Sequence, residues 1–298
     1  MLSTFEKFRF TGGRAVAAAS VSRKREGSPL TPPLKPRARA KPTDDDDAEA
    51  SPSARRRPFI APAPARWRER YAPACEACES SRVHCTHVPE VPLKLLVIGH
   101  NPSDHSWGSG WSYSNPSNNF WKLLVKGALV PKEWTAEDCP RLPGDLGIGF
   151  TDAGTVPGND ANAYPRATMK EWRVDLYARL RGHIDRCARD AGDITDAGWD
   201  DADTAVQLAS RHGPAVVAFA GKRQYAQLFD RVPSKVEAGK QPPTSLPPGW
   251  PLCPRATEVW VLPSSSGRAV MTKAAREEPY VALGTRLATI QWPRTVVE

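Results

Sequence analysis

The residues best suited to chemistry lie in a polar loop, residues 99–119, between two short apolar runs. The first run, residues 95–98, is typical of a buried strand, and the second, residues 120–124, is typical of a helix. The loop carries a carboxamide at Asn101, just after the predicted strand, and an aromatic ring at Tyr113. Many backbone and side-chain donors surround them. This set suits a planar polar ligand, whereas a phosphate-binding Gly-x-x-x-x-Gly-Lys-Ser/Thr pattern is absent from the sequence.

The elements that must position this loop are predicted by the apolar pattern of the rest of the chain. Further strands are indicated over residues 147–150, 215–219 and 259–262. Helices are indicated over residues 118–128, 168–187, 222–230 and 272–289. Strands that alternate with helices predict the α/β class, with a short parallel sheet flanked by helices on both faces. Ligands of such sheets bind beyond the carboxyl ends of the strands, where the polar loop begins.

Local features refine these predictions. Thr168 and Glu171 form a capping-box pattern that predicts a helix start there. Pro279 is expected to break or kink the last helix. The acidic stretch 190–203 is predicted to be a loop, and the proline-rich stretch 231–251 is predicted to be an exposed insertion.

Four blocks of the chain form an ordered series. The first joins Gly-His-Asn-Pro-Ser at residues 99–103 to Tyr113 and to Asn-Asn-Phe-Trp at residues 118–121. The other blocks are residues 142–151, 218–222 and 261–269. Together they resemble the mismatch-specific uracil/thymine-DNA glycosylases of the uracil-DNA glycosylase superfamily. The resemblance covers about residues 91–290 and implies one glycosylase-like α/β domain over residues 91–298.

The resemblance implies a monofunctional DNA glycosylase that hydrolyses the N-glycosidic bond of uracil or thymine mispaired with guanine, which initiates base-excision repair. Such an enzyme flips its target base out of double-stranded DNA. By resemblance, Asn101 orients the attacking water and Tyr113 stacks on the flipped base. The expected base pocket consists of Gly99, Pro102, Ser106, Tyr113, Asn118 and Thr151. No cofactor is implied, and a monomer is expected.

These residues also have purely structural interpretations. Asn101 precedes a proline and could cap the loop as an Asx turn. Tyr113 could simply cover the end of the sheet. Asn118 lies where a helix N-cap belongs.

A second loop follows the predicted strand at residues 259–262. By resemblance its serines hold DNA phosphates, while Arg268 enters the base stack. The residues of this predicted wedge loop are Ser264, Ser265, Ser266, Gly267 and Arg268. Without the preceding strand, such a run would indicate only a flexible turn.

Two residues of the first block depart from the family pattern. His100 stands where the family has isoleucine, and Ser103 stands where it has glycine. With His105, Asp104 and Asp152, His100 is one of the ionisable residues that could supply a general base. The departures also favour an alternative, a catalytically weak or inactive DNA-binding module that keeps the fold. A nucleotide-binding metabolic enzyme is disfavoured because the sequence has no dinucleotide-binding glycine pattern.

The net charge of the chain is carried by its N-terminal segment. Residues 1–70 contain 16 Lys and Arg against 8 Asp and Glu, which equals the +8 net charge of the whole chain. Residues 1–90 lack apolar periodicity and are predicted to be a disordered tail. Basic clusters at residues 23–25 and 55–57 favour a nuclear location, with a mitochondrial or plastid presequence as the alternative. No apolar run approaches the about 20 residues of a membrane span.

Cysteine usage favours a reducing compartment, since the six cysteines form no evident disulfide framework. One cluster has side chains of the kind that zinc binds, namely Cys75, Cys78, Cys85 and His87. A second pair at matching spacing is missing from the sequence. The cluster is therefore a candidate metal site, with free thiols at the domain edge as the alternative.

Overall fold

The computed structural model describes residues 69–72, 75–80, 88–193 and 201–293. Most of the predicted tail lies outside these ranges, as do Cys85 and His87. In chain order the described helices and strands are α1 (Glu76–Ser80), β1 (Leu95–Gly99), α2 (Asp104–Ser109), α3 (Phe120–Lys126), α4 (Leu142–Leu146), β2 (Ile148–Asp152), α5 (Arg166–Asp190), α6 (Ala202–His212), β3 (Val216–Phe219), α7 (Lys222–Ala226), β4 (Gly239–Lys240), β5 (Glu258–Val261) and α8 (Lys273–Ala288).

A five-stranded sheet in the order β2-β1-β3-β5-β4 organises the domain. The four longer strands are parallel, with Leu95 level with Ile148 on one side and with Val216 on the other. This confirms the predicted α/β class. The two-residue strand β4, which was not predicted, pairs antiparallel with β5, so the sheet is mixed. β4 lies within the stretch that was predicted to be an exposed insertion.

Helices cover both faces of the sheet, as predicted. Successive strand residues point to opposite faces, so Leu95 and Val97 pack in one core while Leu96 and Ile98 pack in another. The first core also receives buried residues of α3 and α8, and the second those of α5 and α6. Both faces of each parallel strand are therefore dry, which explains the unbroken apolar runs in the sequence.

Several helix boundaries differ from the predictions. α5 begins at Arg166 after Pro165, so the predicted start at Thr168 is wrong. Proline suits a helix start because it has no N–H to leave unpaired. α6 was not predicted, and its first residues fall in the stretch predicted to be a loop. Its N-terminus is capped by Asp201, whose carboxylate accepts a hydrogen bond from the Thr204 N–H at 2.7 Å.

α8 continues through Pro279, contrary to the predicted break. The buried side chains of Tyr280 and Leu283 hold the helix on the sheet beyond the proline. No helix within the described ranges is long and apolar enough to cross a membrane.

A short segment before α1 belongs to the folded domain. Arg70 forms an antiparallel bridge with Phe150 of β2, with N···O distances of 2.9 and 3.0 Å in the two directions. The neighbouring Tyr71 is buried in the second core. The domain boundary predicted at residue 91 is therefore too late, because residues 69–72 already pack on the sheet.

A buried ionic cluster joins the segment before β1 to α5. The Glu90 carboxylate lies 2.7 Å from His183 Nδ1 and accepts a hydrogen bond from Arg186 Nε at 2.6 Å. The Glu90 N–H donates to the Asp190 carboxylate at 2.7 Å. Burial alone would raise the pKa of Glu90, but the hydrogen bonds and charges of His183 and Arg186 lower it below its usual value. The cluster fixes where β1 begins relative to the longest helix.

The variant Glu90→Ala should lower the free energy of unfolding by about 1–3 kcal/mol, because it leaves the buried His183 without its partner. The depressed pKa of Glu90 means that its stabilisation is present above pH 4.5 and is lost as the pH falls through the folded-state value. Urea unfolding of both proteins should therefore show a difference that shrinks at acidic pH. Glu237→Ala, which removes an exposed partner of Lys235, is the control and should change little. Equal losses in the two variants would contradict this account.

Candidate functional site

A cavity of about 280 Å³ lies at the carboxyl ends of the four parallel strands. Each of these strands contributes a wall residue at or just after its last position: Gly99, Asp152, Ala220 and Ser264. The cavity therefore lies where the topology of an open α/β sheet favours a binding site.

Most of the residues predicted for the base pocket meet in this cavity. They are Gly99, Pro102, Ser106, Tyr113 and Asn118. The predicted water-orienting residue Asn101 and the serines Ser264, Ser265 and Ser266 of the second loop also line the cavity. Thr151 does not line the cavity. Its hydroxyl donates to the Glu69 carboxylate, whereas the next residue, Asp152, forms the wall. The assignment of Thr151 to the pocket is therefore corrected to Asp152, since successive strand residues face opposite ways.

Gly99 allows two polar side chains to approach each other. A Cβ atom at this position would lie 1.9 Å from Asp152 Oδ1 and 2.6 Å from the Tyr113 hydroxyl oxygen. Both distances are far below van der Waals contact. Residue 99 must therefore be glycine for Asp152 and Tyr113 to occupy the cavity floor together.

Tyr113 is held rigidly in the wall. Its backbone has φ of 56°, in the left-handed region, and its ring stacks on Phe120 with 3.7 Å between centroids. The hydroxyl is buried and has no hydrogen-bond partner within the described part of the chain. Burial raises the pKa of Tyr113 well above its usual value, so the hydroxyl keeps its proton. The hydroxyl could therefore donate a hydrogen bond to a ligand in the cavity.

Asp152 lines the cavity, although the pattern of apolar runs did not show that its side chain would face the site. Its side chain is 8% exposed. Burial, reinforced by the charge of Glu69 and opposed by Arg179, raises the pKa of Asp152 to about 7. Near neutral pH this carboxyl can therefore either donate or accept a hydrogen bond. Its position immediately after a predicted strand was the available signal.

The Asn101 amide fixes the loop that closes one side of the cavity. Its Nδ2 lies 3.0 Å from the Val156 carbonyl oxygen, 3.1 Å from the Gly158 carbonyl oxygen and 3.1 Å from the Tyr164 hydroxyl. These acceptors define which amide atom is nitrogen. The other amide atom, Oδ1, must then face His100, and its second lone pair remains for a water or a ligand.

The orientation of the Asn101 amide determines the tautomer of His100, which carries its proton on Nδ1. Its Nδ1 lies 2.6 Å from Asn101 Oδ1 and must donate the proton between them. Burial, together with the nearby positive charge of Arg223, lowers the pKa of His100. The neutral ring then carries a lone pair on Nε2, which is buried and unpartnered within the described residues. The departure from the family pattern thus adds a proton acceptor beside Asn101.

The cavity mouth carries cations and hydroxyl groups. Lys222 is exposed and Arg223 is half-buried, and both line the cavity near the serines of the second loop. The Ser265 carbonyl accepts a hydrogen bond from the Asn119 N–H at 2.9 Å, which ties this loop to the start of α3. Such a rim is suited to an anionic group such as a phosphodiester.

The rest of the predicted wedge loop lies beyond the cavity. A Cβ atom at Gly267 would lie 2.6 Å from the Ser117 carbonyl oxygen, so close packing requires glycine there. Arg268 is exposed, and the side chain of Val270 is fully exposed. Asn118 lines the cavity, but the N-cap of α3 is the next residue, Asn119, so the N-cap interpretation of Asn118 is wrong. The Asn118 Oδ1 atom accepts a hydrogen bond from the Phe120 N–H at 2.9 Å.

The candidate zinc cluster is only partly described. Cys75 is half-buried and Cys78 is buried, whereas Cys85 and His87 lie outside the described ranges. Within those ranges a different group, Glu90, His183 and Cys187, brings metal-ligand atoms within 4.8 Å of one another. There the Glu90 carboxylate is already shared between His183 and Arg186.

The chain matches no known protein-family model.

The variant Asp152→Asn should change how stability depends on pH. Because the folded-state pKa of about 7 exceeds the usual 3.8, the folded state binds the proton more tightly. Stability should therefore fall as the pH rises between these values, by up to about 4 kcal/mol, and the cost should be complete above pH 7. Asparagine should abolish this decline, as measured by urea unfolding between pH 4 and pH 8. Asp145→Asn, on the exposed side of α4, is the control, and parallel curves for wild type and Asp152→Asn would contradict the prediction.

Proposed function

We propose that the chain is a monofunctional DNA glycosylase that removes uracil or thymine mispaired with guanine and so initiates base-excision repair. The observation that carries the proposal is the single cavity wall in which Asn101, His100, Tyr113 and Asp152 meet at the carboxyl ends of the strands. These are neutral donors and acceptors at pH 7, apart from Asp152, which is poised between its two forms. The edge of a pyrimidine base likewise carries both hydrogen-bond donors and hydrogen-bond acceptors. Together with this activity we propose the uracil-DNA glycosylase type of fold.

The reaction requires water to attack the sugar carbon as the bond to the base nitrogen breaks. The Asn101 Oδ1 atom, whose position the His100 Nδ1–H bond holds, would orient the water, and the proton that the water releases would pass to solvent or to the departing base. The bonding electrons leave with the base. The Tyr113 hydroxyl and protonated Asp152, which line the same cavity, would stabilise that charge.

The rim accounts for the double-stranded substrate. Lys222, Arg223 and the serine hydroxyls would hold phosphates on either side of a flipped nucleotide. The exposed Arg268 and Val270 would occupy the gap left in the base stack. Since the chain beyond residue 70 has balanced charge, these placed contacts, rather than a uniform positive surface, would position the DNA.

One observation favours the second candidate, a DNA-binding module without activity. The Asn101 Nδ2 atom is engaged by the loop at residues 156–164, so this residue has a structural task whether or not it orients water. The two functions differ in what the loss of the amide does to catalysis and to binding.

The variant Asn101→Ala should reduce single-turnover release of uracil from a G:U duplex by about 100-fold or more, because the water loses its positioning group. Binding to a duplex that already contains an abasic site should be nearly unchanged. Tyr164→Phe is the matched control, since it removes one loop contact to Asn101 and leaves the amide in the cavity. If both variants lose the same activity, Asn101 acts only through the loop. If the wild-type chain releases no base, the second candidate is favoured.

The variant Arg268→Ala should slow base release from duplex DNA more than from single-stranded DNA. Flipping out of a duplex costs a few kcal/mol of stacking and pairing, and a side chain in the gap opposes return of the base. The measurement is the ratio of single-turnover rates on the two substrates. Arg255→Ala removes another exposed arginine, in the turn before β5, and should leave the ratio unchanged. Equal losses on both substrates would show that Arg268 binds phosphate instead.

A further inference from the structure

The segment at residues 69–71 contacts two elements that carry cavity residues, β2 and α2, although it precedes the part of the chain that the glycosylase resemblance covers. The Glu69 carboxylate accepts hydrogen bonds from the Thr151 hydroxyl and from Arg179 Nε, the latter at 2.7 Å. The Arg70 guanidinium donates to the Gly110 carbonyl at 2.7 Å in a buried contact. Gly110 ends α2, whose first turn carries the cavity residue Ser106.

Arg179 connects this segment to the residue on the cavity floor. Its guanidinium donates to the backbone carbonyls of Asp152 and Ala153, while its Nε pairs with Glu69. Glu69 and Arg179 are both about one-fifth exposed. An ion pair that is largely shielded from water and bonded to the backbone of Asp152 holds the point of the chain from which that carboxyl projects.

We propose that Glu69 and Arg179 are positioning residues of opposite effect for Asp152, and that residues 69–71 thereby support the active site from behind its lining. The proposal rests on the proposed function in one respect, since it takes the base of the substrate to be the group that the Asp152 carboxyl contacts. The pair itself is defined by contacts that do not depend on any substrate.

The electrostatic consequence follows from the signs of the charges. The charged and titratable groups that face Asp152 are Glu69 and Arg179, together with the hydroxyl of Tyr113. Glu69 favours the protonated carboxyl of Asp152, and Arg179 favours the ionised carboxyl. A purely structural pair would, when broken on either side, loosen the site in the same way. An opposed pair would shift the protonation of Asp152 in opposite directions.

The test uses the full chain with Glu69→Gln and Arg179→Met. The pKa of Asp152 is followed by carbon NMR of its carboxyl, and single-turnover base release is measured as a function of pH. We expect the midpoint of both titrations to fall by about one pH unit in Glu69→Gln and to rise by about one pH unit in Arg179→Met. Should Arg179→Met fail to fold, Arg179→Lys serves instead. Lysine keeps the positive charge but lacks the several N–H donors of the guanidinium group. This variant should therefore leave the titration midpoint near the wild-type value while slowing base release.

Glu258→Gln is the matched control. Glu258 is also about one-fifth exposed and is paired with Lys240 and Arg286, but it lies at the amino end of β5, away from the cavity. Its loss should leave the midpoint in place. Midpoints that stay fixed, or that move in the same direction in both site variants, would overturn the proposal. Absence of base release from the wild type would instead refute the proposed function and leave the NMR result intact.

Discussion

The Asp152 carboxylate and the Tyr113 hydroxyl meet above the backbone of Gly99, where one added carbon atom would collide with both. This approach brings the ends of β1 and β2 and the polar loop to a single point. It also buries a carboxyl and a phenol, neither of which has a charged partner in direct contact within the described ranges. The stability of that arrangement depends on hydrogen-bonding support from further out, which Arg179 supplies at the backbone of Asp152. The cavity is thus a product of strand register rather than of the loop alone.

The apolar runs were sufficient to predict the four parallel strands, since each is buried on both faces and leaves an unbroken signature. The location of the site followed from the same prediction. The sequence could not resolve which of Thr151 and Asp152 faces the cavity, because a run buried on both sides shows no alternation. α6 escaped prediction because its capping Asp201 lies in an acidic stretch that also suits a loop. The bridge at Arg70 is a long-range contact and has no local pattern.

Some side chains around the cavity hold its shape, and others have polar atoms without a hydrogen-bond partner within the described ranges. The Asn101 amide nitrogen donates a hydrogen bond to the loop at residues 156–164. Its amide oxygen accepts one from His100 Nδ1, which orients the histidine ring. The histidine nitrogen on the far side and the phenol of Tyr113 remain without partners within the described ranges. Unpaired buried groups cost free energy, and a ligand in the cavity could supply the missing bonds. In the Glu90 cluster, by contrast, each oxygen of the Glu90 carboxylate has a partner.

The pairing of Arg70 with Phe150 also bears on how the chain behaves in concentrated solution. β2 is an outer strand of the sheet, and a bare outer strand offers unsatisfied backbone groups to other chains. Arg70 occupies those of Phe150, and on the opposite side the two residues of β4 cover β5. Each edge of the parallel part of the sheet is thereby covered in part by a short antiparallel segment. A shortened chain that begins after residue 71 would expose an apolar margin, and it would be prone to assemble strand against strand into insoluble material.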